Sequence, residues 1–176
     1  MTREEARIRA ERVDLRIHEE ITKSHLPAAR KMLSEIRAYL IRRSEEMEAN
    51  NNPIKLLKTS KEANGITLIL LGPPIDKGAT PEHFHFDSGA RLSFTLSLRE
   101  EGKQSELVSF RFHYQLPDGI APSFIRFDLN RSMDADSLKE PRCHVHPGME
   151  SARIPTVLYT PIEILDQIFF VLEDHS

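Results

Sequence analysis

The chain has 176 residues and carries 24 lysines and arginines against 27 aspartates and glutamates, which gives a net charge of -3 at pH 7. This balance excludes a uniformly basic nucleic-acid-binding protein, so a polyanion would have to be held by a local basic patch. No apolar run approaches the roughly 20 residues that span a bilayer, and the single cysteine, Cys143, cannot form an internal disulfide. We therefore expect a cytoplasmic protein that does not insert into a membrane.

Residues 1–52 are predicted to form a helical N-terminal segment, because residues 3–49 are rich in good helix formers and contain no glycine. Pro27 divides this stretch into one helix ending near Lys23 and a second running from about residue 26 to residue 48. Apolar residues of the second helix recur at 3- and 4-residue spacing, namely Ala29, Met32, Leu33, Ile36, Leu40 and Ile41. Such helices could either cover a sheet or form a hairpin that makes a homodimer.

Residues 53–176 are predicted to form an α+β domain built on an antiparallel sheet. Short runs of β-type residues, bounded by turn residues, predict strands over residues 66–71, 83–87, 91–99, 107–115 and 123–129. Turns suited to hairpins surround Gly102 and Gly119, which favours a meander of successive strands. Alternation of apolar and polar residues in the longer runs indicates a sheet with one buried face.

A C-terminal helix is predicted to close the fold. Thr160 stands at the N-cap, Pro161 at the first helical position and Glu163 at the third, which is the pattern of a capping box. The fold class expected from the sequence is therefore α+β, with an N-terminal helical pair, an antiparallel meander and a closing helix.

Four of the eight histidines form two His-x-His pairs, His83 with His85 and His144 with His146. Residues two apart on a strand project from the same face, so each pair presents two imidazoles together. Asp87 continues the row of the first pair. We expect the two pairs to meet at an exposed patch on adjacent strands, although imidazoles serve metal binding, proton transfer and phosphate contact alike.

Five short motifs follow one another between about residue 89 and residue 172. They are the strand at 110–115, the turn Asp118-Gly119, the strand at 125–128, the segment 141–146 and the helix start at 161–168. In their order and spacing they resemble the TumE family of prokaryotic toxin–antitoxin proteins. The resemblance implies a small α+β domain, a toxin-type or defence-associated role and a cognate antitoxin-like protein as partner.

The first functional hypothesis is a toxin-type protein that binds or cleaves RNA without a metal or other cofactor. Paired histidines can exchange protons with the 2′-hydroxyl and the leaving oxygen, while a guanidinium stabilises the charged intermediate. This nuclease hypothesis assigns residues to catalysis and to substrate binding. The catalytic residues are His144, His146, Arg126 and Asp128, and the substrate-binding residues are Arg142, Arg153 and His113.

Two alternatives stay open beside the nuclease hypothesis. The first is a small barrel-like protein that binds a divalent transition metal through His83, His85 and Asp87, since two imidazoles and a carboxylate suit Fe(II), Zn or Mn. The second is a non-catalytic protein that dimerises or binds a partner through its N-terminal helices, with histidines that have no chemical role.

Overall fold

The computed structural model describes residues 26–49, 51–72, 83–131 and 141–173, together with residues 5, 8, 12, 16, 19 and 20 singly. The first predicted helix, ending near Lys23, lies largely outside the described residues.

An antiparallel sheet forms the centre of the described structure. The strands are β1 (Leu26–Pro27), β2 (Leu57–Lys61), β3 (Ile66–Leu71), β4 (Phe84–His85), β5 (Arg91–Glu101), β6 (Gln104–Gln115), β7 (Phe124–Leu129), β8 (Cys143–Pro147) and β9 (Ile154–Pro155). They pair in the order β2-β3-β5-β6-β7-β8-β9, while β1 pairs with β6 and β4 pairs with β5. The predicted α+β class with an antiparallel sheet is confirmed.

The long hairpin of β5 and β6 forms the middle of the sheet. Phe94 pairs with Phe112 and Leu96 pairs with Phe110, and all four side chains are buried on one face. The rings of Phe94 and Phe112 stack with centroids 4.7 Å apart. Because side chains alternate along a strand, the intervening residues of both strands project from the opposite face.

Helices cover the apolar face of this sheet. They are α1 (Ala29–Glu45), the short α2 (Pro53–Leu56) and α3 (Pro161–Asp166), with a 3-10 turn at Ala63–Gly65 and a π-helical turn at Gln167–Leu172 that continues α3. Met32, Ile36 and Leu40 of α1 belong to the same buried cluster as the central strands. Of the two roles expected for this helix, the structure therefore shows it covering the sheet.

Side-chain contacts join α1 to the C-terminal helix. The Tyr39 hydroxyl donates a hydrogen bond to Asp166 Oδ1 at 2.8 Å, and the Tyr39 ring meets the Phe169 ring edge-on with centroids 5.6 Å apart. Burial, reinforced by the neighbouring Asp166 carboxylate, raises the pKa of Tyr39 to about 12. The hydroxyl is therefore a proton donor at neutral pH.

The predicted capping box at the start of α3 is confirmed. Thr160 accepts a hydrogen bond from the Glu163 amide at 3.3 Å, and the Glu163 carboxylate accepts one from the Thr160 amide at 2.7 Å. Two backbone donors that the helix itself leaves unpaired are thereby satisfied.

The start of α1 differs from the prediction. Leu26 and Pro27 form the extended strand β1, in which Leu26 pairs with Ser105 of β6, and the helix begins at Ala29. The residue before a proline is sterically driven out of the helical region, so Leu26 adopts an extended conformation and finds its partner in the sheet.

Among the described residues, no helix has both the length and the hydrophobicity that crossing a lipid bilayer requires.

Gly148, directly after β8, adopts a φ of +77° and lies against the loop before β7. A Cβ built at this glycine would come 2.5 Å from Pro122 Cβ and 3.2 Å from Pro122 Cα. We predict that Gly148→Ala lowers the free energy of unfolding by about 2–5 kcal/mol, because strain at positive φ and overpacking add together. Urea unfolding followed by circular dichroism measures this loss.

Gly102→Ala is the matched control for Gly148→Ala. Gly102 also has a positive φ, +65°, but a Cβ there would meet nothing within 4 Å. Only the backbone strain of about 1–2 kcal/mol should therefore appear. Equal losses in the two variants would contradict the close packing of Gly148 on Pro122.

Candidate metal centre

The polar face of the sheet carries two rows of ionisable side chains across β6, β7 and β8. Antiparallel register places partners directly opposite one another on neighbouring strands, so their side chains share a face. The first row consists of Arg111, Asp128 and His144, and the second of His113, Arg126 and His146. Residues far apart in the sequence thus become neighbours through strand pairing.

Hydrogen bonds to backbone carbonyls orient both imidazoles of β8. His144 Nδ1 lies 2.7 Å from the Pro141 carbonyl oxygen, and His146 Nδ1 lies 3.3 Å from the Met149 carbonyl oxygen. A carbonyl oxygen only accepts, so each Nδ1 must carry the proton and donate it. In the neutral rings both Nε2 atoms then present lone pairs.

The two Nε2 atoms lie close to each other and to the Asp128 carboxylate. The Nε2 atoms of His144 and His146 lie 3.0 Å apart. Asp128 Oδ2 lies 3.3 Å from His146 Nε2 and 3.8 Å from His144 Nε2. Three acceptor atoms facing one another repel unless a cation lies between them.

The triangle of acceptors has the dimensions of a metal site. A point equidistant from three atoms separated by 3.0, 3.3 and 3.8 Å lies about 2.0 Å from each of them. Zinc binds histidine nitrogen at about 2.0–2.1 Å and carboxylate oxygen at about 2.0–2.2 Å. Asp128, His144 and His146 would therefore hold such an ion at distances typical of zinc sites.

All three side chains that form the triangle are withdrawn from solvent. The side chains of Asp128, His144 and His146 are 5%, 2% and 1% exposed. Burial is the main cause that lowers the pKa of His144, although the Pro141 carbonyl partly opposes it. The neutral ring that results is the form in which imidazole ligates a metal.

A chain of ion pairs holds Asp128 in place. Arg126 Nε donates to Asp128 Oδ2 at 2.9 Å, and its other arm donates to Glu150 Oε1 at 2.5 Å. This hydrogen bond is the main cause that lowers the pKa of Glu150. Arg111 Nε lies 3.4 Å from Asp128 Oδ1. Two guanidiniums thus flank the buried carboxylate.

Arg142, Arg153 and His113, predicted as substrate-binding residues, lie around this centre. Arg142 is buried and donates to the Asn130 carbonyl at 3.3 Å. Arg153 is exposed, and its charge contributes to lowering the pKa of His144. His113 is half-buried and meets Phe124 edge-on with ring centroids 5.2 Å apart.

His83, His85 and Asp87, the predicted metal set, lie in and beside β4, which three strands separate from β8. His85 is exposed. The Asp87 carboxylate accepts hydrogen bonds from the amides of Glu48 and Ala49 at 3.0 and 2.7 Å, and so anchors the end of the α1 region. Among the described residues, the group able to hold a metal is Asp128, His144 and His146.

The expectation that the two His-x-His pairs meet at an exposed patch on adjacent strands requires correction. β4 pairs with β5, so β5, β6 and β7 separate it from β8. His144 and His146 are also almost completely buried. The physical reason is that Asp128 and Arg126 on β7 offer these histidines polar partners in register, which sequence periodicity does not reveal.

Cys143 lies on the opposite face of β8 from His144, as strand alternation requires. Its thiol donates to the Val157 carbonyl oxygen at 3.3 Å. Burial raises the pKa of this thiol to about 12. The thiol therefore stays protonated at neutral pH and is a poor nucleophile.

The sequence contained Asp128 as a catalytic candidate but gave no sign that it shares a ligand set with the histidines. The usable signal was the pair of alternating motifs Arg126-x-Asp128 and His144-x-His146. Each motif puts two polar groups on one face of a strand. Their meeting depends on the β7–β8 register, in which Asp128 opposes His144.

Comparisons of the chain with protein-family models, curated proteins and solved structures gave no match. The resemblance to the TumE family therefore stays a prediction.

We predict that Arg126→Met lowers the free energy of unfolding of the metal-free protein by about 3 kcal/mol, because it leaves the buried Asp128 carboxylate without its closest cation. Glu150→Gln is the matched control. Its side chain is 70% exposed, so loss of this surface pair should cost less than about 1 kcal/mol. Denaturant unfolding in the presence of a chelator measures both variants, and similar losses would contradict a buried ion pair.

Proposed function

We propose that this protein binds a divalent transition-metal ion through Asp128, His144 and His146, and that this metal centre is its functional site. The observation that carries the proposal is the convergence of three buried acceptor atoms on one point. Both imidazoles have their Nδ1 protons committed to backbone carbonyls. Their Nε2 atoms are therefore left facing Asp128 with lone pairs only.

A proton is the simpler cation that could occupy this space. One imidazolium would bridge the two Nε2 atoms with a single hydrogen bond and would give Asp128 an ionic partner. A metal ion instead uses the lone pairs of His144, His146 and Asp128 together. The match of the acceptor triangle to metal–ligand distances favours the metal.

The chemistry of the ligands restricts the choice of ion. Two imidazoles with one carboxylate are typical of Zn, Fe(II) and Mn sites, while Ca²⁺ and Mg²⁺ prefer oxygen ligands. Three protein ligands leave at least one coordination position for water or a small ligand, as in catalytic rather than structural zinc sites. Hydrogen bonds from Nδ1 to carbonyls are the usual outer contacts that orient metal-binding histidines.

We predict that Zn²⁺ added to chelator-treated protein raises the melting temperature by roughly 5–10 °C at a concentration of about 100 times the dissociation constant. The reason is that the ion binds the folded site and has no preformed site in the unfolded chain. Differential scanning fluorimetry measures the shift, and elemental analysis of dialysed protein measures the bound metal, expected at about one ion per chain.

His146→Ala and Asp128→Asn should each abolish the shift and the bound metal. His85→Ala is the matched control, because His85 belongs to the other His-x-His pair and is exposed. Metal binding that survives in His146→Ala, or that is lost in His85→Ala, would refute the proposed ligand set. Wild-type protein without bound metal and without a thermal shift would leave the shared proton as the explanation of the cluster.

A nucleic-acid role of the toxin type is the second function we propose, supported by the exposed arginine beside the centre. Arg111 contacts Asp128 at 3.4 Å while its side chain is 52% exposed, so it could contact a phosphate outside the sheet. The near-complete burial of His144 and His146 gives no support to direct proton exchange between these rings and RNA. A cognate antitoxin-like partner stays a prediction.

We predict that Arg111→Ala weakens binding of a single-stranded RNA several-fold. The slope of log affinity against log salt concentration should fall in magnitude by about 1, as expected for the loss of one phosphate contact. Fluorescence anisotropy across a series of salt concentrations measures both quantities. Arg99→Ala is the control, since the Arg99 side chain is similarly exposed, at 49%. Its guanidinium pairs with Glu106 at 2.6 Å and does not contact Asp128. Equal affinity of wild type and Arg111→Ala would remove the support for this role.

A further inference from the structure

A single row of polar positions runs from the start of β4 to β8 on the face that carries the metal centre. His113 of β6 pairs with Arg126 of β7, which pairs with His146 of β8. On the other side of His113 lies Ser93 of β5. Because Phe84 pairs with Leu92, continuation of this antiparallel register brings His83 opposite Ser93.

Two atoms in this row lack the partners that buried polar atoms normally have. His113 Nε2 and His83 Nδ1 are buried and have no hydrogen-bond partner among the described residues. The two rings are close enough for the charge of His83 to affect the pKa of His113. Buried ring nitrogens in native proteins are usually satisfied by protein, water or ligand.

The charges of the described groups that pair at the centre favour an anion as the missing ligand. Arg111 and Arg126 balance Asp128 and Glu150, with which they pair. A bound divalent ion therefore adds two positive charges that none of these four groups neutralises. Uncompensated charge in a buried site is costly, so an anion in the open coordination position stabilises the occupied centre.

The two unpartnered imidazoles are suited to hydrogen-bonding such an anion. Burial, as the largest cause, lowers the pKa of both His83 and His113. Each neutral ring carries one N–H, which can donate to an oxyanion. Arg126 lies between His113 and His146 in the row, so its guanidinium is a further hydrogen-bond donor in the same row.

We propose that the metal centre binds a phosphate group, with one phosphate oxygen on the ion and another accepting a hydrogen bond from His113. This inference rests on the proposed metal site. Strands two apart in a sheet are roughly 10 Å apart. The side chains of His113 and His146 project from the same face, with Arg126 of β7 between them in the register, so the phosphate group would reach across one intervening strand to His113. His83 lies further along the row, two strands beyond His113, with Ser93 of β5 between them.

Isothermal titration of zinc-loaded protein with inorganic phosphate tests this site. Wild type is expected to bind phosphate, and His113→Leu to bind it roughly 10- to 100-fold more weakly, since a hydrogen bond to a charged group is lost. His113→Asn retains a side-chain N–H and should recover part of the affinity. His85→Ala, exposed and outside the row, should bind phosphate as the wild type does.

Metal content measured on each preparation separates the two proposals. If zinc binds but phosphate does not, or if His113→Leu binds phosphate as tightly as wild type, the phosphate site is wrong and the metal site stands. If zinc fails to bind, the metal site itself is wrong. Parallel titrations with a phosphate monoester and a dinucleotide identify the source of the phosphate group. Binding of either one weakened by His113→Leu supports the site.

Discussion

The register between β7 and β8 is the constraint on which the candidate site depends. Asp128 opposes His144 and Arg126 opposes His146, so two short motifs combine into a group of four polar side chains on one face. A shift of a single residue would turn both histidines to the apolar face. Gly148 follows β8 at positive φ and packs against Pro122, which links the end of β8 to the loop that precedes β7.

Burial of these four side chains makes the Asp128 charge costly to hold and also keeps the His144 ring neutral. A carboxylate that is 5% exposed is stable only because Arg126 and Arg111 lie within ion-pair distance. The same burial keeps His144 neutral, and the carbonyls of Pro141 and Met149 direct both Nε2 atoms inward. Removal of water strengthens the interaction of these atoms with a cation. The network that holds Asp128 in the fold is therefore also the network that places its Oδ2 atom beside the two Nε2 atoms.

The two His-x-His pairs show how similar motifs acquire different roles. Around His83 and His85 the described strand is only two residues long. The Asn51 side chain hydrogen-bonds both the amide and the carbonyl of His85, so the contacts of His85 in this segment are made by its backbone. His144 and His146 lie within β8. This strand is flanked by β7, which carries Asp128, and by β9, which forms the edge of the sheet. Whether a His-x-His pair meets a third ligand is decided by its neighbours in the sheet, which lie far away in sequence.

Local sequence patterns were enough to predict the α+β class, the strand Ile66–Leu71 and the capping box at Thr160, because alternation, turn residues and capping act over a few neighbouring positions. They also singled out His144, His146, Arg126 and Asp128. Three further features became visible in the folded chain alone: Asp128 Oδ2 faces both Nε2 atoms, Asp87 instead anchors backbone amides near Ala49, and Leu26 extends into β1. These outcomes depend on strand pairing and burial between residues distant in the chain, which local patterns do not encode.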